Sequence, residues 1–117
     1  MNEKEVYLAT LKSIVSSDGR YDIEAYFLVQ NALSYLMSQI KERRHVSAGE
    51  LLEAIQQYAG QEYGPFGREV LEHWGVRRSE DFGDIVFNMI ERGLLNKTPE
   101  DSKEDFSGYD DFWNSFE

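Results

Sequence analysis

The chain has 117 residues, 41% of them hydrophobic and 29% charged, with a formal net charge of −10 and no cysteine. That length suits one domain with a single core, and the balance of apolar and charged residues excludes wholesale disorder. The lack of cysteine excludes disulfides, thiolate metal sites and cysteine nucleophiles, and no apolar run approaches the roughly 20 residues that span a bilayer.

The opening MNEKEVYLATLK lacks the basic start and apolar stretch of a signal peptide, so a cytoplasmic protein without membrane contact is expected. The acidic balance repels phosphate backbones over most of the surface, so any nucleic-acid contact has to be local.

Helical periodicity runs through almost the whole chain. A first helix is predicted from about Asn2 to Ser16, with Asn2 as cap, Glu3 and Glu5 at its positive end, and Tyr7, Leu8, Leu11, Ile14 and Val15 as the apolar stripe. Residues 16–19 break it. A second helix begins after Asp22 and reaches about Lys41. Its apolar residues (Ile23, Tyr26, Phe27, Val29, Leu33, Leu36, Met37, Ile40) cover more than half its circumference, as expected of a central helix.

After the basic run at 41–45, Ser47 and Glu50 form a capping-box pattern, and Leu51, Leu52, Ile55, Tyr58 and Ala59 continue the stripe. Gly64-Pro65 stops that helix and opens a short one from Phe66 to Trp74, which Gly75 ends. A fifth helix starts at Ser79, turns Phe82, Ile85, Val86, Met89 and Ile90 inward, and ends at Gly93. The expected class is all-α, about five helices over residues 1–97. Leu94-Leu95 before a polar stretch reads as the first strand of a short β-wing.

Residues 47–93, with a glycine-containing turn before the last helix, have the outline of a helix-turn-helix. The supposed reading helix presents Glu80, Asp81 and Asp84 at its start, where DNA reading needs Arg, Lys, Asn or Gln. DNA binding is therefore disfavoured, and packing or protein contact is the better use of the unit.

Two basic pairs, Arg43/Arg44 and Arg77/Arg78, would make a local phosphate-contact spot for RNA or a ribosome if their loops met. Near helix ends they would instead complement dipoles and neighbouring carboxylates. His45 and His73 have no metal-ligand partner at helical spacing, and the acids of 98–117 lack the order of a calcium loop. Gly64-Pro-Phe-Gly67 is not continued by the lysine of a phosphate loop. No cofactor, metal or catalytic set is expected; Asp84 and His73 are the weak candidates for an unrecognised activity.

The segment from Thr98 to Glu117 is distinct. It holds seven acids against one base, Lys103, and five aromatics: Phe106, Tyr109, Phe112, Trp113 and Phe116. The last four share one face of a helix of two turns, too short to stand alone in water. They are expected either to dock on the chain's own helices or to fold onto a partner or a neighbouring protomer. A non-catalytic protein-interaction or adaptor module is the expected function, and an RNA- or ribosome-associated protein is the alternative.

The stretches RYDIEAYFLVQNAL at 20–33, RHVSAGELLEAIQQYAGQEYGP at 44–65 and GVRRSEDFGDIVFNMIERGLLNKTPEDSKEDF at 75–106 resemble a small bacterial family of planctomycetes and verrucomicrobia, catalogued as conserved hypothetical or "uncharacterized repeat" proteins. The resemblance implies a short cytoplasmic domain. It implies no enzymatic activity and carries over no catalytic or binding residue. Asp22-Ile23 and Asp84-Ile85 both open apolar helical runs, but the residues after these pairs do not align as a repeat.

Overall fold

Three polar side chains start three helices. Asn2 Oδ1 accepts the Glu5 N–H at 2.9 Å, Asp22 Oδ1 accepts that of Glu24 at 2.9 Å, and Ser47 Oγ accepts that of Glu50 at 3.2 Å. Each satisfies a backbone donor that the first helical turn leaves open. Behind these caps the computed structural model, which describes residues 1–42, 44–109 and 111–112, shows α1 (Glu3–Ser17), α2 (Ile23–Gln39) and α3 (Ala48–Tyr63). Next come α4 (Gly67–His73) and α5 (Ser79–Glu91), with 3₁₀ turns at Gly64–Phe66 and Lys103–Phe106. The fold is all-α, as the periodicity predicts.

Helix α2 is central. Ala25, Tyr26, Val29 and Ala32 are fully buried along it, and it packs on α3, α5 and α1. The two alanines let neighbouring backbones approach, while Tyr26 and Val29 fill the layer with Leu11, Leu52, Ile55, Phe82, Ile85 and Met89. Helix α4 rests on α3, with the Tyr63 and Trp74 rings edge-to-face at 5.7 Å. Chain order gives 47–93 a helix-turn-helix outline, yet α5 lies with its apolar face on α1, α2 and the residues C-terminal to it.

The short β-wing expected after Leu95 does not form; no strand occurs among the described residues. Gly93, at φ 76°, closes α5 with Leu94 N–H on the Met89 carbonyl and its own N–H on Ile90. Leu94 and Leu95 then pack on the core. Beyond them Thr98 N–H bonds Asp101 Oδ2 at 2.8 Å and Ser102 N–H bonds Asp105 Oδ2 at 2.9 Å, while the Asp101 and Asp105 N–H groups return to the Thr98 and Ser102 carbonyls. These closed turns use up donors that a hairpin ladder would need.

Residues 94–109 and 111–112 thus form a strap that runs back over α5 and α3. Phe106 and Phe112 are buried, Phe112 meets Phe82 edge-to-face at 5.5 Å, and Gln56 Nε2 donates to the Phe112 carbonyl at 2.9 Å. The bare face of α5 at Gly83 makes room for the strap. A Cβ there would lie 3.1 Å from the Lys103 carbonyl oxygen and 3.2 Å from Phe106 Cβ.

Candidate functional site

The two ends of α5 are built differently. At its N-terminal end Gly75, at φ 92°, turns the chain from α4 so that its Cα faces the Arg20 carbonyl, where any Cβ would collide. Asp22 N–H donates to the Trp74 carbonyl at 3.0 Å and fixes the α1–α2 loop against this turn. Buried Tyr21 donates its hydroxyl proton to a carboxylate pair, lying 2.7 Å from Asp84 Oδ2 and 2.9 Å from Asp81 Oδ1. Burial first, and then these carboxylates, push the Tyr21 hydroxyl above the usual tyrosine range.

Arg20 forks onto Asp18 at 2.7 and 2.8 Å and reaches Asp84 at 3.0 Å. Asn88 Nδ2 donates to Asp18 and to the Tyr26 hydroxyl. The Arg20 guanidinium is the main reason that Asp18 titrates well below the ordinary carboxylate range. Asp81 also accepts the Arg77 and Arg78 N–H groups at 2.8 and 3.2 Å, capping α5. No buried side-chain nitrogen or oxygen among the described residues lacks a partner. This end is polar, closed and saturated.

At the C-terminal end of α5 the side chains leave a cleft of about 290 Å³. Leu33 and Met37 of α2, Ala48 and Leu51 of α3, Val86, Phe87 and Ile90 of α5, and Leu94, Leu95 and Phe106 of the strap make its apolar lining. Arg44, His45, Lys97 and Asp101 stand among the polar residues around it. His45 Nε2 meets Asp101 Oδ2 at 2.7 Å, linking the α2–α3 loop to the strap. The Thr98 N–H, and then His45, lower the Asp101 carboxyl. Arg44 forks onto Glu50 at 2.6 and 3.0 Å and holds that carboxyl down to about 2.

The described members of the two basic pairs do not converge. Arg44 is at the cleft with the C-terminal end of α5, whereas Arg77 and Arg78 precede its N-terminus. Thirteen residues of helix separate those ends, about 20 Å at 1.5 Å per residue. That is about twice the Debye length at 0.1 M salt, so Arg44 does not act with Arg77 and Arg78 as one cationic spot. Arg43 lies outside the described residues. Asp84, the candidate for activity, is tied to Tyr21, Arg20 and, at 3.7 Å, Lys103; His73 is exposed on α4. Neither lines the cleft.

Of the four candidate contact aromatics, Phe112 is buried and Tyr109 is 40% exposed, its hydroxyl over Gly49. Trp113 and Phe116 lie outside the described residues. The acids of 98–117, which lack the order of a calcium loop, include two with a local task, Asp101 and Asp105. The pattern of Ser or Thr with an acid three residues later, at Thr98–Asp101 and Ser102–Asp105, was the available signal. The cleft had no such signal, because its walls come from four separate segments. Comparison of the chain with protein-family models, with curated proteins and with solved structures finds no match in any of the three.

Proposed function

We propose that this protein is a non-catalytic interaction module whose contact surface is the cleft between the ends of α2, α3 and α5 and the strap. The observation that carries the reading is an apolar cleft of about 290 Å³, bordered by polar side chains, in a fold whose opposite end is closed. Concave, mostly apolar surfaces with a few polar groups at the edge are where partners and ligands are held. Phe106 and Phe112 serve the fold itself, which favours the cleft over the aromatic tail as the contact surface. A cytoplasmic setting and kinship with the planctomycete and verrucomicrobial family belong to the same reading, and neither adds an activity to it. The separation of Arg44 from Arg77 and Arg78 weighs against the RNA or ribosome alternative.

The test is a comparison of captured partners. Ala48→Phe fills the cleft from its wall, and Phe66→Ser alters an exposed ring at the far end of α3. A partner held by the wild type and by Phe66→Ser should be lost with Ala48→Phe. Identical partner sets from all three proteins would sink the reading. No helix among the described residues is long and apolar enough to cross a membrane, so capture from the soluble fraction is the place to begin.

A further inference from the structure

The strap is fastened differently from the helices beneath it. Its backbone N–H groups bond within its own turns, Asp105 to the Ser102 carbonyl, Ser107 to that of Glu104 and Phe112 to that of Tyr109. Its ties to the body are the burial of Phe106 and Phe112, the Gln56 amide on the Phe112 carbonyl, and the contacts His45–Asp101 at 2.7 Å and Lys103–Asp84 at 3.7 Å. Asn96 and Lys97, just before its first turn, are exposed. A hinge at these two residues lifts the strap and leaves every helix intact.

Charge works against the closed position. Residues 98–117 hold seven acids and one base, so of the formal charge of −10 they carry −6, and residues 1–97 carry the other −4. Both parts stay negative even with His45 and His73 counted as cations. The local distribution sharpens this, since α3 and α5, on which the strap lies, contain seven acids and no lysine, arginine or histidine. Arg44 answers Glu50, and Arg20 and Lys103 answer Asp84. At the notch where Tyr109 and Phe112 meet α3, however, the charged lining residues are Glu53 and Asp111, both acids. Apolar burial of two phenylalanines therefore holds together two surfaces of like charge.

We infer that the strap is a lid set by ionic strength. At low salt, repulsion lifts it from α3 and α5 about the hinge at 96–97; at high salt the charges are screened and the Phe106 and Phe112 anchors close it. Phe106 also lines the cleft, so an open strap removes one of the cleft walls. The inference does not depend on what the cleft holds.

The experiment is amide hydrogen exchange on the full chain at about 10 mM and at about 0.3 M sodium chloride, where the Debye length falls from about 30 Å to below 10 Å. Rates at Asp105, Ser107 and Phe112 are divided by those of a synthetic peptide of residues 98–117 in the same salt, and buried Val29 of α2 reports the body. Protection of the strap should rise at least about fivefold with salt, and clearly more than that of Val29. Glu53→Gln and Glu53→Lys change an exposed side chain that faces the strap. Protection at low salt should increase in the order wild type, Glu53→Gln, Glu53→Lys, and the response to salt should shrink in the same order.

A strap whose protection ignores salt overturns the inference. Strap and Val29 rising in step would place the effect in the whole fold and overturn it equally. A salt response that both Glu53 variants keep in full would assign it to apolar burial, which salts also strengthen, and the lid would not be electrostatic. None of these readouts involves a captured partner, so the lid and the cleft as contact surface fail separately.

Discussion

At the N-terminal end of α5 a tyrosine, an arginine and three aspartates satisfy one another around a glycine turn, and no buried side-chain polar atom among the described residues is left without a partner. At the other end, about 20 Å away, apolar side chains from α2, α3, α5 and the strap face a cleft bordered by the His45–Asp101 contact. The same helix thus has one end that holds the fold and another that stays available. Buried hydrogen-bonded networks are sensitive to any loss, because an orphaned group keeps its desolvation cost. An exposed pair at the border of a cleft contributes little. The difference predicts that stability and contact can be altered independently, each from its own end.

The largest effect should come from Gly75→Ala at the closed end. The substitution adds the cost of a left-handed backbone for alanine to a collision with the Arg20 carbonyl, a backbone atom that cannot swing away. The sum is about 3 kcal/mol, which for a domain of this size lowers the melting temperature by about 10 °C or more. Thermal unfolding monitored by circular dichroism checks it. A fall below about 3 °C would mean that the turn and the α1–α2 loop are not locked together. Tyr21→Phe should come next, at about 1–3 kcal/mol, because it removes the hydroxyl donor from both Asp81 and Asp84. An unchanged midpoint would show that the remaining donors on these carboxylates suffice.

This division is only partly legible in the chain. The caps Asn2, Asp22 and Ser47 and the stops at Gly64-Pro65, Gly75 and Gly93 place the helices to within a residue or two, because capping and left-handed turns are local chemistry. Leu94-Leu95 misleads as a strand for a similar reason. Two leucines before polar residues look alike whether they enter a ladder or fold onto a core, and donors already bonded within their own turns decide between the two. Tyr21 reads as one more apolar residue before a helix; its partners lie 60 and 63 positions away. The cleft is harder still, since Met37, Ala48, Phe87 and Leu94 each look like ordinary core positions. Only the way the helix ends meet leaves space among them.

Acid should weaken the closed end in a defined direction. The folded carboxyl of Asp18 is depressed by Arg20, so its contribution is complete above the unfolded value near 4 and fades as pH falls through the folded range. Asp18→Asn should therefore be less stable than the wild type at pH 7, and the gap should close as pH drops from about 4 toward 2. Melting temperatures of both proteins at pH 7, 4 and 2.5 give the result. A gap that is constant with pH would assign the loss to packing and not to the charge on Asp18.

The smallest effect should come from His45→Ala, and its smallness sharpens the contrast between the two ends. His45 pairs with Asp101 across the cleft, but its side chain is 42% exposed and that of Asp101 26%. Exposed pairs of this kind are worth about 0–1 kcal/mol. Asp101 keeps the Thr98 N–H in the absence of the imidazole, so its turn can persist, and the strap is still held by buried Phe106 and Phe112. The melting temperature should move by no more than about 4 °C, while hydrogen exchange should quicken at the amides of residues 98–106 and remain unchanged at the centre of α5. A loss as large as that from Tyr21→Phe would make the border of the cleft part of what holds the fold, and the two ends of α5 could no longer be separated by function.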